Sequence, residues 1–398
     1  MDRKLSFCIV AAALMASLQG CAPSESMPEL ADRVFSLAKV QYSAMAARLD
    51  AAEKPVMPVT FENGRNKDGR LNSWTSGFFP GTLWLIYQYS GDPEFESLAR
   101  QQTAKLSGIV DMKTHHDIGF QVNCSFGNGY RLTGDESYRP VMEAAALKLS
   151  RRFTPVVGCI RSWDPSEKWN YPVIIDNMMN LELLLEVSRM TGDSTLARIA
   201  CTHADNTLKN HFRPDGSSYH VVTYDEATGA VLSKRTHQGY SDDSAWSRGQ
   251  AWGLYGYTMC YRFTSDPAYL DQAKKIASLI MDLPTMPDDG IPYWDYDAPG
   301  IPDEPRDASA AAITASALLE LQGMVEEPLA GEYVRYAEKI LSSLCSPAYL
   351  AAPGTNGSFI LKHSTGAAPK GSEVDDAINY ADYYFLEALK RLKNLRNP

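Results

Sequence analysis

Asp176 lies in Trp169-Asn170-Tyr171-Pro172-Val173-Ile174-Ile175-Asp176-Asn177, with Met178 and Met179 directly after it. A carboxyl among such apolar neighbours is partly desolvated, which favours its protonated form. Pro172 suits a first helical turn and so places Asp176 within about a turn of a helix start. The positive end of the helix dipole there favours the anion instead. A second carboxylate nearby tips the balance toward a proton-holding acid, and Asp117, in His115-His116-Asp117-Ile118-Gly119-Phe120, is the candidate. On residue types alone Asp176 is equally a general acid–base group or a satisfied capping aspartate. His115, His116 and Asp117 have the types of metal ligands. Adjacent histidines on one helix or strand do not face one point, however, and no H-x-x-x-H or H-E-x-x-H occurs, so no metal is expected.

Arg248 and Trp252 are four residues apart in Trp246-Ser247-Arg248-Gly249-Gln250-Ala251-Trp252, on one face of an expected helix. An arginine beside the indoles of Trp246 and Trp252 suits a carboxylate joined to a sugar face, or equally a cation–π pair inside a helix contact. Gly249, Gly253 and Gly256 leave a narrow strip for close packing. Trp74, Trp163, Trp246, Trp252 and Trp294 all fall in polar clusters rather than in apolar runs, as stacking surfaces for carbohydrate do. There is no G-x-x-x-x-G-K-[ST], dinucleotide fingerprint or G-x-S-x-G, so nucleotide-driven chemistry and serine hydrolysis lose support and no cofactor is expected.

One phrase recurs between the stretches that must hold these residues: Tyr89-Ser90-Gly91-Asp92, Leu132-Thr133-Gly134-Asp135, Met190-Thr191-Gly192-Asp193 and Phe263-Thr264-Ser265-Asp266, with a degenerate copy at Glu327-Pro328-Leu329. Gly suits the left-handed position that ends a helix and Asp the cap that begins the next. Apolar residues on both sides recur at helical spacing. The separations between the Asp residues are unequal, which excludes a fixed-period solenoid and implies stacked helical hairpins with loops of different length. Five or six such hairpins close into an all-α toroid whose inner helices point their ends into a central pocket; an open superhelix is the alternative. Tyr219–Tyr224, a turn at Asp225–Gly229 and the extended run to Thr236 read as an inserted β-hairpin, which brings His220 opposite His237 and Gln238.

Arg3 and Lys4, the apolar stretch Phe7–Ala16 and the small residue before Cys21 read as an export signal over 1–20 that ends at a lipidated cysteine. Residues 21–35 are then a lipidated terminus and tether, and 36–398 a single catalytic domain. The expected location is outside the cytoplasm, on a periplasmic or cell-envelope membrane through the lipid alone. The net charge of −10 argues against a nucleic-acid partner. Cys124, Cys159, Cys201, Cys260 and Cys345 are odd in number and far apart, as isolated core thiols are.

Taken in series, Ser73-Trp74-Thr75-Ser76-Gly77-Phe78, His116-Asp117-Ile118-Gly119-Phe120, Ile175-Asp176-Asn177-Met178-Met179-Asn180, Trp246 to Gly253 and Tyr293-Trp294-Asp295-Tyr296-Asp297-Ala298-Pro299 resemble the motifs of the unsaturated glucuronyl hydrolases, glycoside hydrolase family 88. The resemblance implies a six-hairpin (α/α)6 barrel. It implies substrates left by polysaccharide lyases, ending in a 4,5-unsaturated uronic acid. Asp176 then protonates the vinyl ether at C4 and activates water for C5, with Asp117 as the second essential carboxylate. By the same resemblance His220, Gln238, Arg248 and Trp252 hold the uronate, and Trp74 and His116 line the pocket. Lys362-His363-Ser364 and Lys370-Gly371-Ser372 fall where some relatives recognise sulfate on the second sugar. Arg306-Asp307-Ala308-Ser309 departs from the commoner Arg-Asp-Ser-Ser. The rivals are a rhamnogalacturonyl hydrolase on the same barrel, a polysaccharide lyase, and a glycan-binding lipoprotein without catalysis.

Overall fold

The computed structural model describes residues 25–396; the export signal and Cys21 lie outside the described residues. Among the described residues, thirteen α-helices account for about half of the chain: α1 (Met27–Asp50), α2 (Phe78–Ser90), α3 (Pro93–Ala104), α4 (Ile118–Val122), α5 (Asn128–Thr133), α6 (Arg139–Ser150), α7 (Asn177–Thr191), α8 (Ser194–Asn210), α9 (Ser247–Thr264), α10 (Pro267–Met281), α11 (Ala308–Leu321), α12 (Leu329–Leu344) and α13 (Asn379–Arg396). A π-helical turn, Asn123–Gly127, joins α4 to α5 as one broken rod.

Burial sorts these helices into two rings. α2, the α4–α5 rod, α7, α9, α11 and α13 are buried around most of their circumference. α1, α3, α6, α8, α10 and α12 bury a single stripe, the pattern of helices with one face in water. The inner helices touch in sequence, and α13 packs back on α2 to close the circle. This is the expected (α/α)6 toroid.

The turns that link the rings follow the expected chemistry. Gly91, Gly134, Gly192 and Ser265 end inner helices at φ between 57° and 77°. Asp92, Asp135, Asp193 and Asp266 each accept a backbone N–H from two residues on. Close approach inside the ring depends on glycine: a Cβ on Gly256 would stand 2.5 Å from the Cβ of Met178, and one on Gly119 2.6 Å from the Cα of Asn180.

Three expectations need correction. Residues 27–35 are no tether; they belong to α1, which buries Ala31, Val34 and Phe35 against the barrel. Pro172 does not open a helix. It sits in the edge strand of a three-stranded sheet formed by β5 (Tyr171–Ile174), β6 (Val221–Tyr224) and β7 (Val231–Arg235), and an edge strand tolerates the missing N–H. Nor is the hairpin the only β structure. β1 (Met57–Glu62), β2 (Arg65–Gly69), β8 (Ser364–Ala367) and β9 (Ser372–Ile378) form a sheet in the order β2-β1-β9-β8, and β3 (Phe153–Thr154) pairs with β4 (Cys159–Ile160).

The rings alternate in direction, so the inner helices begin at one mouth and end at the other. The far mouth holds a second cavity of about 480 Å³ walled by ion pairs: Arg262 reaches Glu182 (2.5 Å) and Glu320 (2.6 Å), and Arg391 reaches Glu320 (2.7 Å).

Candidate active site

The near mouth opens into a cavity of about 320 Å³. Its lining comes from the starts of inner helices and the loops before them: Trp74 ahead of α2, Asp117 at the cap of α4, Asp176 at the cap of α7, Arg248 in the first turn of α9 and Tyr380 in the first turn of α13. Helix N-termini carry partial positive charge. A chain of net charge −10 therefore offers a local field that suits an anionic sugar.

Asp176 ends the turn between β5 and α7. It occupies the N-cap position without using its carboxyl to cap. Ile175 N–H donates to the His220 carbonyl at 3.0 Å, which fixes the turn against the hairpin. The residue is only 8% exposed, and Oδ2 is buried with no hydrogen-bond partner. Burial, then the neighbouring charge of Asp117, raises its pKa to about 7, with Arg248 opposing. That shift corresponds to about 4 kcal/mol, whereas a helix terminus contributes about 0.3–1 kcal/mol to the anion. Desolvation wins, and the acid keeps its proton near neutrality.

Asp117 is the opposite case. Burial alone would raise it, but His116 and His115 against the carboxyl, with the Asn180 amide at 3.3 Å, hold it below its ordinary value. His115 Nδ1 lies 2.9 Å from Oδ2, and His116 Nε2 lies 3.4 Å from Oδ1. Burial pushes His116 down to about 4, so it is neutral at pH 7. Burial lowers the pKa of His115, but the charge of Asp117 and the contact with its carboxyl outweigh burial and raise it. Contrary to the sequence argument, the two adjacent rings do converge: ligand atoms of His115, His116 and Asp117 lie within 4.8 Å of one another. The turn before α4, unlike a regular helix or strand, lets consecutive side chains bend toward one point.

His220 stands behind Asp176 rather than in the cavity wall. Its Nδ1 accepts the backbone N–H groups of His237 and Gln238, each at 3.2 Å, the approach the hairpin reading anticipated. Burial holds the ring neutral. With Nδ1 accepting, the proton is assigned to Nε2, 3.6 Å from Asp176 Oδ2. Trp246 is also behind the wall, stacked on His220 at 4.4 Å and on the Arg248 guanidinium at 4.6 Å. Trp252 is fully buried. Its indole N–H has no partner within hydrogen-bond geometry, although it lies close enough to lower the Asp176 pKa slightly. His116 is likewise fully buried behind Asp117.

Arg248 is 1% exposed. It donates to Asp307 Oδ2 at 2.8 Å and to the carbonyls of Thr365 and Gly366. Asp307 also caps α11 through Ser309, while Ala308, at the departure from Arg-Asp-Ser-Ser, is buried and donates its N–H to the His363 carbonyl. The Gln238 amide donates to the Gly366 carbonyl at 3.0 Å, tying the hairpin to β8. Lys370 and Ser372 line the cavity from the turn between β8 and β9. Lys362, His363 and Ser364 do not; His363 pairs with Asp375 at 2.7 Å in a separate cleft. Sequence reasoning missed Tyr380 and Glu373 as cavity residues. Neither lies in a recognisable motif, and only the docking of the C-terminal strand and helix brings them in.

A proton-holding aspartate, an anionic aspartate and an arginine share one aromatic-walled cavity at the mouth of an (α/α)6 barrel, and the sequence profile of Glycosyl Hydrolase Family 88 matches residues 50–394. The chain belongs to that family, and it is a glycosidase. It is 49% identical over 324 residues to the unsaturated glucuronyl hydrolase of Formosa agariphila (81% of this chain, 80% of that protein). With the unsaturated glucuronyl hydrolase of Bacillus sp. (strain GL1) it is 35% identical over 327 residues (80% and 86%). Among solved structures it is similar to an unsaturated glucuronyl hydrolase specific for heparin, with a TM-score of 0.89 at 46% identity over 93% of this chain and 98% of that one.

Proposed function

We propose that the protein removes the 4,5-unsaturated uronic acid from the non-reducing end of lyase-generated glycosaminoglycan oligosaccharides by hydrating the C4=C5 bond. The observation that carries this reading is the Asp176 carboxyl, buried in the cavity with a raised pKa and an unpartnered oxygen. A vinyl ether is protonated at carbon, and that step needs an acid still protonated at working pH. Asp176 delivers its proton to C4, and positive charge develops at C5 and the ring oxygen. Asp117, held as an anion, is placed to stabilise that charge and to accept sugar hydroxyls. The Asp176 carboxylate then takes a proton from water as the hydroxyl adds to C5. The resulting hemiketal opens to a ketone at C5, and C1 expels the neighbouring sugar as its alcohol while becoming an aldehyde. Because no displacement at C1 begins the reaction, the spacing rule for retaining and inverting carboxylates does not govern it.

Arg248 and Gln238 face the substrate from the β8 side, and Trp74, Trp163 and Tyr380 supply the walls against which sugar rings pack. The second sugar rests against the turn that carries Lys370 and Ser372. Related proteins support a glycosaminoglycan origin. The Streptococcus pneumoniae relative, 35% identical over 324 residues, is an unsaturated chondroitin disaccharide hydrolase. An Asp-to-Asn mutant of the Streptococcus agalactiae enzyme is complexed with dGlcA-GalNAc6S. Export and lipid attachment at Cys21 complete the proposal, on the strength of the leader residues; the mass of the mature N-terminus tests it.

The decisive experiment follows the ultraviolet absorbance of the unsaturated uronate across a panel of disaccharides, for the wild type and Asp176→Asn. Loss of absorbance with release of one reducing sugar per event is expected, together with a fall in kcat of about 10²–10⁴ in the variant. A rise in absorbance would mark a lyase, and binding without turnover a glycan-binding protein.

A further inference from the structure

Glu373 is a third acid in the cavity wall, and the mechanism does not use it. It lies on β9 at φ 54°, a left-handed conformation that a residue with a side chain enters only at a cost. Its carboxylate is laid across β8: a Cβ on Gly366 would stand 2.1 Å from Glu373 Oε2, so only glycine at 366 leaves room. The Gly366 carbonyl is the one held by Arg248 and Gln238, so this acid rides on the segment those two residues fix. Glu373 is half-buried by exposed surface, its free side being the one that opens on the cavity. Among the described residues, nothing donates a hydrogen bond to it and no cation stands within ion-pair distance; burial raises its pKa, and the charge of Arg248 partly offsets that. Lys370, three residues away at the same wall, is instead directed at His237 Nε2 at 2.5 Å.

An unpaired carboxylate in a binding cavity is either a cost or a recognition device. We propose that Glu373 determines specificity at the second sugar: it accepts hydrogen bonds from hydroxyl or amino groups of the residue joined to the unsaturated uronate, and it disfavours a sulfo group there. This inference rests on the hydrolase reading above. Two like charges within about 6 Å at a partly solvated site repel strongly enough to change affinity tenfold or more. A donor facing the carboxylate gains a charge-assisted bond in the same place.

The test compares kcat/KM for unsaturated disaccharides with N-acetylated, free-amine and sulfated second sugars, in the wild type, Glu373→Gln and Glu373→Ala. The wild type is expected to prefer the unsulfated and free-amine substrates. Glu373→Gln should shift the sulfated-to-unsulfated ratio about tenfold toward the sulfated substrate, chiefly through KM, and weaken use of the free-amine substrate. Ratios unchanged in both variants, with the wild type active, overturn the inference and leave the hydrolase reading standing. So does an equal fall of kcat on every substrate, which places Glu373 in the chemistry or the packing instead. A wild type that turns over none of the disaccharides sinks the hydrolase reading itself. Thermal unfolding of Glu373→Gln, which keeps the side chain's shape, shows whether the fold survives.

Discussion

Asp176→Asn is expected to inactivate the protein and to make it more stable, by an amount that grows with pH. The folded-state pKa of about 7 stands above the ordinary value of 3.8. Below about pH 3.8 both folded and unfolded chains carry the proton, and the group is neutral in its effect. Between 3.8 and 7 the unfolded chain ionises while the folded one does not, so stability falls as pH rises, by about 1.4 kcal/mol per unit. Above 7 both are ionised and the loss has levelled off at about 4 kcal/mol. Asparagine has no such dependence. Relative to the wild type, the variant should gain about 1–2 kcal/mol at pH 5 and about 4 kcal/mol at pH 8. With an unfolding entropy of about 0.8 kcal/mol/K for a chain of this length, the Tm difference grows from about 2 °C to about 5 °C. Scanning fluorimetry of both proteins from pH 5 to 8, with turnover measured in parallel, reads both effects. A Tm difference that stays constant across that range, or a variant less stable at pH 8, would refute the claim that burial holds the proton on Asp176.

In the pH dependence of kcat/KM, activity should fall on the alkaline side with a midpoint near 7 as Asp176 loses its proton. In the residual activity of Asp117→Asn that midpoint should move to lower pH, because the neighbouring anion that raises Asp176 is gone. Arg248→Met should cost about 3–5 kcal/mol by leaving Asp307 buried and unpaired; urea unfolding measures it. Adding Asp307→Leu should recover much of that stability but none of the turnover. Gly256→Ala should lose about 1–3 kcal/mol, since its methyl group meets Met178 at 2.5 Å. Thermal unfolding registers the loss, and kcat should fall with it because Met178 lies two residues from Asp176.

The barrel was legible because its turns are written in local chemistry. A glycine or serine that accepts a left-handed backbone, followed by a capping aspartate, needs no tertiary context to be read. The hairpin was legible for the same reason, and it carried His220 to His237 and Gln238. What escaped was decided by distant partners. Pro172 has the same fixed φ in a helix start and on an edge strand, and only β6 selects between them. The four-stranded sheet joins Thr60 to Ile378 and Phe61 to Ala377 across almost the whole chain, a pairing no local pattern announces. In the site, residue types identified Trp74, Asp117, Asp176, Gln238 and Arg248 as polar or aromatic groups worth placing, and all five line the cavity. Burial separated the supporting groups from them: His116, His220, Trp246 and Trp252 act through the residues they press against.

Early and late segments of the described chain meet beside the mouth. β1, near the start, bonds to β9, near the finish; α13 is the stave that shuts the ring against α2; and Tyr42 of α1 donates to Asp382 of α13 at 3.0 Å. Tyr380 and Glu373 arrive with the same final segment. A growing polypeptide therefore has neither a finished barrel nor a complete pocket until its last helix emerges. Such far-separated pairings make assembly slow. Cutting the chain before residue 372 should leave an open, inert ring rather than a smaller enzyme.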